Sequence, residues 1–282
     1  MPLISIITAA YAPRAQYLSV TAKSVAAQTL PTGWRFEWII QEDGATPALE
    51  NFKMMPHVRY EANNRQLGIP ATRNLALSRA SGELVQVLDH DDILLPECLS
   101  TLLKYFTSHP IHWAIGQADD LMPDGTRLTY PPALSFGLIP ASVVNKWATK
   151  HQGNWPIHCG GLMMRTATVR ALGGWAGLPA EDDISLLAAI TEVTNGYFDK
   201  TTTWLYRQHL KQTYRTTEWR AQSAVGRRIA LQRAQAMRRL NLQIGSKSFT
   251  LERTTDAVTV GPSVKVPRLL DEASTDTPLS PP

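Results

Sequence analysis

Four consecutive residues, Asp89-His90-Asp91-Asp92, hold the densest chemistry in the sequence. They follow an apolar run, Leu84-Val85-Gln86-Val87-Leu88, and precede Ile93-Leu94-Leu95-Pro96. The run reads as a buried strand. The carboxylates therefore leave a strand's carboxyl end, where open α/β sheets bind ligands. Carboxylates crowded there repel one another unless a cation sits among them. Mg²⁺ typically takes one or two carboxylates plus substrate phosphates. The tetrad thus describes either a metal–phosphate site or a solvated acidic turn ahead of a helix near Pro96. Alone it does not separate the two.

Other residues with chemical potential stand at comparable junctions. Ala9 to Tyr11 follow one apolar run and Asp43 follows another. Tyr11 could stack a base, and Asp43 could accept from a base N–H or a ribose hydroxyl. Arg73 stands near a helix start, where guanidinium and backbone N–H groups both suit a phosphate; a surface salt bridge is its plainer role. Ala180-Glu181-Asp182-Asp183 opens another helix. One carboxylate there could deprotonate an attacking hydroxyl, although acids in a first helical turn also simply favour the helix dipole. In Tyr206-Arg207-Gln208-His209-Leu210-Lys211-Gln212, the cations suit a departing anion and His209 could reach a metal. Trp155 and Trp175 could stack on sugar faces or pack in a core.

The elements that must position these residues alternate. Strands are expected at Leu3–Thr8, Phe36–Ile40, Val58–Tyr60 and Leu84–Leu88, with helices over Ala15–Gln28, Ile69–Arg79 and Pro96–Thr107. Strand–helix alternation implies a mostly parallel sheet with right-handed crossovers. If its strands are neighbours, their tips converge on one crevice. The second half is less regular. Ile115 to Pro140 reads as loops with a hairpin at Asp124-Gly125, and His158–Met164 as a strand. Helices follow at Thr166–Leu172 and Glu181–Glu192, then a strand at Thr203–Tyr206 and a long helix over Glu218–Leu240. On that last helix Val225, Ile229, Ala236 and Leu240 line one face, expected to pack or dimerise. Arg220, Arg227 and Arg238 lie opposite, expected to be solvated.

Composition narrows the classes. The chain has 282 residues, 44% hydrophobic, enough to bury a real core. Its formal charge of +4 is concentrated: seven arginines stand between Arg215 and Arg239 against one acid, Glu218. That unevenness does not indicate nucleic-acid binding. Cys98 and Cys159 are the only cysteines, too few for a disulfide framework. The N-terminus lacks a basic region before its short apolar stretch, and no run reaches membrane-span length. A cytoplasmic protein with at most peripheral membrane contact is the expectation.

Taken in order, Ser5-Ile6-Ile7-Thr8-Ala9-Ala10-Tyr11, Asp43-Gly44, Gly68 to Asn74, Asp89-His90-Asp91-Asp92 and Glu181-Asp182 resemble the motifs of family 2 glycosyltransferases. The resemblance covers about three quarters of the chain, Pro2 to Gln212. It implies an α/β GT-A fold, Rossmann-like, with a mostly parallel sheet flanked by helices. To this we add a C-terminal helical extension. The glycosyltransferase domain is expected over 1–215, with a nucleotide-sugar half to about 115 and an acceptor half from 116. The helix should occupy 216–244, and a partly disordered tail 245–282. The implied reaction is inverting transfer of a sugar from a nucleotide-diphosphate sugar, UDP-sugar favoured, to an acceptor hydroxyl. Ala9, Tyr11, Asp43, Arg73 and Asp89 would contact the donor. Asp91, helped by His209, would hold Mn²⁺ or Mg²⁺. Asp182 would be the base and Glu181 an acceptor contact, with Trp155 and Trp175 toward the acceptor. The acceptor could be a sugar, a lipid-linked glycan or a small molecule, and a homodimer is compatible. Ala9-Ala10 and Gln41-Glu42-Asp43 depart from the family's commoner residues. The rival readings are a nucleotide-sugar-binding protein without catalysis and a sugar nucleotidyltransferase. The latter lacks its usual glycine-rich basic loop here.

Overall fold

The computed structural model describes residues 1–244; the tail expected over 245–282 lies outside the described residues. In chain order the elements are β1 (Leu3–Tyr11), α1 (Leu18–Ala26), β2 (Arg35–Asp43), β3 (Val58–Ala62), α2 (Ile69–Arg79), β4 (Leu84–Val87), β5 (Ile93–Leu94), α3 (Cys98–Ser108), β6 (Trp113–Leu121), β7 (Arg127–Thr129), β8 (Gly137–Ile139), α4 (Val143–Lys150), β9 (Met163–Arg165), α5 (Thr166–Ala171), α6 (Asp182–Val193), β10 (Gly196–Arg207) and α7 (Thr217–Arg239).

The strands join one sheet along the path β3-β2-β1-β4-β9-β6-β10-β5, with β7 beside β6 and β8 beside β10. β3, β2, β1 and β4 run parallel. β9 is antiparallel to both β4 and β6, so β6 and its parallel neighbour β10 share the direction of the first four. The carboxyl ends of β1, β2, β4, β6 and β10 therefore face one rim.

Strand side chains alternate between the two faces. Ile4, Ile6, Trp38 and Ile40 join the core under α1 and α3. Ile7, Ile39, Val85 and Val87 join the opposite core with Ala76, Leu77, Leu186, Leu187 and Ile190 of α2 and α6. Burial on both faces is why these strands read as unbroken apolar runs.

Three sequence expectations change. First, the stretch read as loops begins with a nine-residue strand, β6, and the Asp124-Gly125 turn closes its hairpin to β7. Gly116, Gln117, Asp119 and Asp120 hide this strand by breaking its apolar run. Second, only Met163–Arg165 of the stretch read as His158–Met164 is a strand, because Cys159 to Leu162 form a turn. Third, α7 packs by the opposite face. Gly226, Ala230 and Ala234, spaced by four, are its buried seam, while Val225, Ile229 and Leu240 are exposed. Small residues let α7 approach α6 closely. Its arginines reach across to carboxylates and carbonyls: Arg227 to Glu181, Arg238 to Glu192 through two nitrogens, and Arg233 to the Leu172 carbonyl. Burial alone would raise the Glu192 pKa, but Arg238, Ser142 and Asn145 together hold it below its ordinary value.

Candidate active site

The rim bearing the carboxyl ends of the parallel strands opens into a cavity of about 400 Å³. Its walls include Ala9, Tyr11, Asp43, Arg73, Asp89, Asp91, Asp182, Asp183 and Tyr206. Of the positions singled out in the sequence, Ala9, Tyr11, Asp43, Arg73, Asp89, Asp91 and Asp182 are brought together here.

Tyr11 and Asp43 are register partners at the tips of β1 and β2. The Asp43 carboxylate caps the following loop. Its Oδ1 accepts from the Leu67 N–H at 2.7 Å and from Asn63 Nδ2 at 3.1 Å, and its Oδ2 accepts from the Gly68 N–H at 3.0 Å. A carboxylate offers about four acceptor positions, so three are filled and one is left on a residue that lines the cavity. Gly68, at φ +84°, lets the loop turn directly into α2.

Arg73 stands one turn into α2, and its guanidinium spans two carboxylates. Nη2 donates to Asp89 Oδ1 at 2.7 Å and Nη1 to Asp182 Oδ2 at 2.9 Å. Burial works against the Arg73 charge, but Asp89 and Asp182 more than offset it and hold its pKa above the ordinary value. The head expected to face a phosphate is thus already paired.

The tetrad divides its work. Asp91 Oδ2 lies 2.8 Å from His209 Nε2, and the Asp91 carbonyl accepts from Arg207 Nε at 2.8 Å. Asp92 is fully buried. Its Oδ1 accepts from the Arg207 N–H at 2.9 Å, while Oδ2 has no partner among the described residues. Burial, then the neighbouring Asp91 and Asp89, push its pKa well above the carboxylate range. Asp92 therefore ties the end of β10 to the tetrad. His90 rests its Nδ1 3.3 Å from the Ala9 carbonyl.

Across the cavity, Asp182 opens α6. Burial raises its pKa to about 6, against the opposing charge of Arg73. Glu181 precedes it in the left-handed conformation, φ +62°, uncommon outside glycine. Its side chain is not a wall of the cavity. It is buried against α7, accepting from Ser223 Oγ at 2.5 Å and Arg227 Nε at 2.6 Å.

The two tryptophans separate. Trp175 is 2% exposed, and its backbone N–H and carbonyl are both held by the Asn74 amide, so it packs rather than presents a face. Trp155 is half-buried and lines a second cavity that shares Tyr206 as a wall with the first. Its Nε1 donates to Asn145 Oδ1 at 3.0 Å.

Among the described residues, no three His, Cys, Asp or Glu side chains gather into a ready cation cage. The oxygen-rich rim with His209 nonetheless fits a cation that completes its shell with ligand phosphates, since Mg²⁺ and similar ions take few protein carboxylates there. No helix among the described residues is long and apolar enough to cross a membrane.

A mostly parallel sheet with a carboxylate-rich cavity at its carboxyl rim is an α/β ligand-binding architecture, and comparison with known proteins narrows it. The chain belongs to glycosyl transferase family 2, whose model matches residues 5–165. It is 31% identical over 114 residues to the uncharacterised glycosyltransferase MJ1057 of Methanocaldococcus jannaschii, covering 38% of each chain. It is 31% identical over 134 residues to the putative teichuronic acid biosynthesis glycosyltransferase TuaG of Bacillus subtilis, covering 45% of this chain and 51% of TuaG. The chain thus spans about half or less of the curated relatives it matches. S. aureus TarS residues 1–349 in complex with UDP-GlcNAc superpose with a TM-score of 0.60 at 16% identity, over 75% of this chain and 60% of that one. The complex with UDP gives 0.61 at 17% identity, over 87% and 68%. At such identity the likeness speaks for the fold, which is GT-A.

Sequence reading missed Ser223 and Gly226 and expected Arg227 in solvent, whereas Ser223 and Arg227 hold Glu181 from α7 and Gly226 packs against its turn. A lone glycine inside a helical pattern is the signal that could have found them. A Cβ on Gly226 would lie 2.5 Å from the Ala180 carbonyl oxygen and 2.9 Å from Glu181 Cβ.

Proposed function

We propose that this chain is an inverting glycosyltransferase that moves a sugar from a nucleotide-diphosphate sugar to an acceptor hydroxyl. The observation that carries the proposal is the single cavity in which Arg73 joins Asp89, on the strand rim, to Asp182 on α6. Tyr11, the open side of Asp43 and Ala9 form the nucleoside end. Asp89 contacts the ribose or the sugar. Asp91 with His209 would hold Mn²⁺ or Mg²⁺, which when bound supplies positive charge beside the diphosphate. Asp182 accepts the acceptor hydroxyl's proton as the oxygen attacks the anomeric carbon. The bond to the diphosphate breaks with its electron pair, and the configuration inverts. Arg207, whose Nε is bonded to the Asp91 carbonyl, and Lys211 add positive charge that suits the departing anion.

Burial keeps Asp182 basic enough to take a proton near neutrality, while Arg73 stops it from staying protonated there. Glu181 positions Asp182 by tethering the turn to α7. Trp155, beyond Tyr206, borders the acceptor. A UDP-sugar is the favoured donor, supported by the likeness to TarS in complex with UDP and with UDP-GlcNAc.

Thermal unfolding with a panel of nucleoside diphosphates and their sugars, with and without Mn²⁺, tests this. A ligand that binds only the folded state raises the melting temperature. One nucleotide class should stabilise the protein in a metal-dependent manner, and the increase should vanish in Asp91→Ala. No shift with any nucleotide would overturn the proposal.

A further inference from the structure

The arginines of α7 divide into two groups. Arg227, Arg233 and Arg238 are drawn inward by acids and carbonyls of α6 and its neighbours. Arg220 and Arg228 have no carboxylate partner among the described residues; the Arg220 side chain donates from Nε to the Tyr214 carbonyl. Both line a cavity of about 400 Å³ together with Arg227, Ser223, Gln152 and Gly153. Among the described residues, its walls contain no acid.

One wall is preorganised. Arg227 is fixed by Glu181 Oε1, the Gly153 carbonyl and Asn154 Oδ1. Gln152 and Gly153 take consecutive left-handed conformations, φ +57° and +81°, which bring that turn against the Arg227 side chain. Glu181 neutralises Arg227, so the positive charges of Arg220 and Arg228 remain. Guanidinium forks match phosphate and carboxylate oxygens.

Helix α7 links the proposed catalytic cavity to this cleft. Trp219 is a wall of the first and Arg220, the next residue, a wall of the second. Ser223 and Arg227 hold Glu181, the residue before Asp182. Asp182 thus lines the carboxylate-rich cavity, while the residue before it is held by two residues of the basic cleft. A chain carrying anionic groups is repelled by the first and held by the second, which orients it.

We propose that the cleft of Arg220, Arg227 and Arg228 binds anionic groups, phosphate or carboxylate, borne by the acceptor close to its reacting hydroxyl. This deepens the transfer reading and rests on Asp182 being the base.

The test uses the full chain and short linear polyphosphate as probe, without metal or donor, at about 0.15 M salt, where weak surface pairing is screened. Wild type should bind it. A hydrogen bond to a charged group contributes about tenfold or more in affinity, so Arg220→Gln/Arg228→Gln should bind at least tenfold more weakly with an unchanged melting temperature. A charge-matched control at remote exposed lysines, Lys23→Gln/Lys200→Gln, should bind like wild type, and UDP should not displace the probe. Absence of binding, an equal loss in the control, or displacement by UDP would each overturn the proposal. So would arginine-dependent binding to anionic vesicles without polyphosphate binding, which would make the cleft a membrane contact. Donor-sugar hydrolysis by the same samples reports separately on the transfer reading.

Discussion

Arg73 Nη1 lies 2.9 Å from Asp182 Oδ2, joining residues 109 apart in sequence within a site where both are nearly buried. The same guanidinium reaches Asp89 at 2.7 Å. One side chain therefore spaces the donor-side carboxylate from the acceptor-side carboxylate. It also favours the ionised form of Asp182 against the effect of burial.

Removing that spacer should cost both stability and turnover. Breaking a buried ion pair by deleting one partner costs about 3 kcal/mol, or roughly 6–12 °C for a chain of this size. Arg73→Ala should show a fall of that order by calorimetry. Arg73→Lys keeps the charge but cannot span two carboxylates. It should regain part of the melting temperature while donor-sugar hydrolysis stays down about a hundredfold, the usual effect of a misplaced group.

Asp182 carries a pH signature. Its pKa is raised by burial to about 6, and the base must be ionised to act. Hydrolysis of the donor should therefore rise with pH through about 6 and level off above. Stability runs the other way. A group with a raised folded-state pKa contributes stability below its unfolded value, and this is lost as pH rises through about 6. Asp182→Asn mimics the protonated form, so its melting temperature should fall less than that of wild type between pH 4 and pH 7.5, by roughly 2–8 °C or about 1–2 kcal/mol.

Asp91 and His209 face each other at 2.8 Å. Asp91→Ala should abolish the metal-dependent part of nucleotide binding, and His209→Ala should weaken it about tenfold. Titration calorimetry with and without Mn²⁺ reads both. Metal-independent nucleotide affinity should change little in either.

Gly226→Ala is an unusual helix substitution. Alanine favours a helix interior by about 1 kcal/mol over glycine. Here the added methyl meets the Ala180 carbonyl and Glu181, so α7 must retreat from the turn that carries Asp182. The variant should be destabilised by about 1–3 kcal/mol and should lose turnover more than donor affinity.

Much of this site was legible in the sequence because its residues sit at strand tips, and strand tips follow apolar runs that any reader can find. Tyr11, Asp43 and the tetrad converge because β1, β2 and β4 are parallel neighbours. The α2 boundaries, Ile69–Arg79, coincide with the pattern. What the sequence hid were the pairings. No local pattern tells that Asp43 caps its own loop, that Arg73 is taken up by two carboxylates, or that Glu181 turns toward Ser223 and Arg227. β6 was hidden by polar residues that a strand at a sheet rim carries beyond its buried half. The orientation of α7 was misread because alanine and glycine form its buried seam while larger apolar residues face outward. Close helix contact selects small side chains there, and buried acids on α6 attract the arginines.

The most direct measurement is donor-sugar hydrolysis without acceptor by wild type and Asp182→Asn, on samples whose donor affinity is measured in parallel. Asp182→Asn should bind the donor as wild type does and hydrolyse it at least a thousandfold more slowly, within the range that a positioned base contributes (about 10²–10⁴). Wild-type hydrolysis by Asp182→Asn would contradict the assignment of Asp182 as the base.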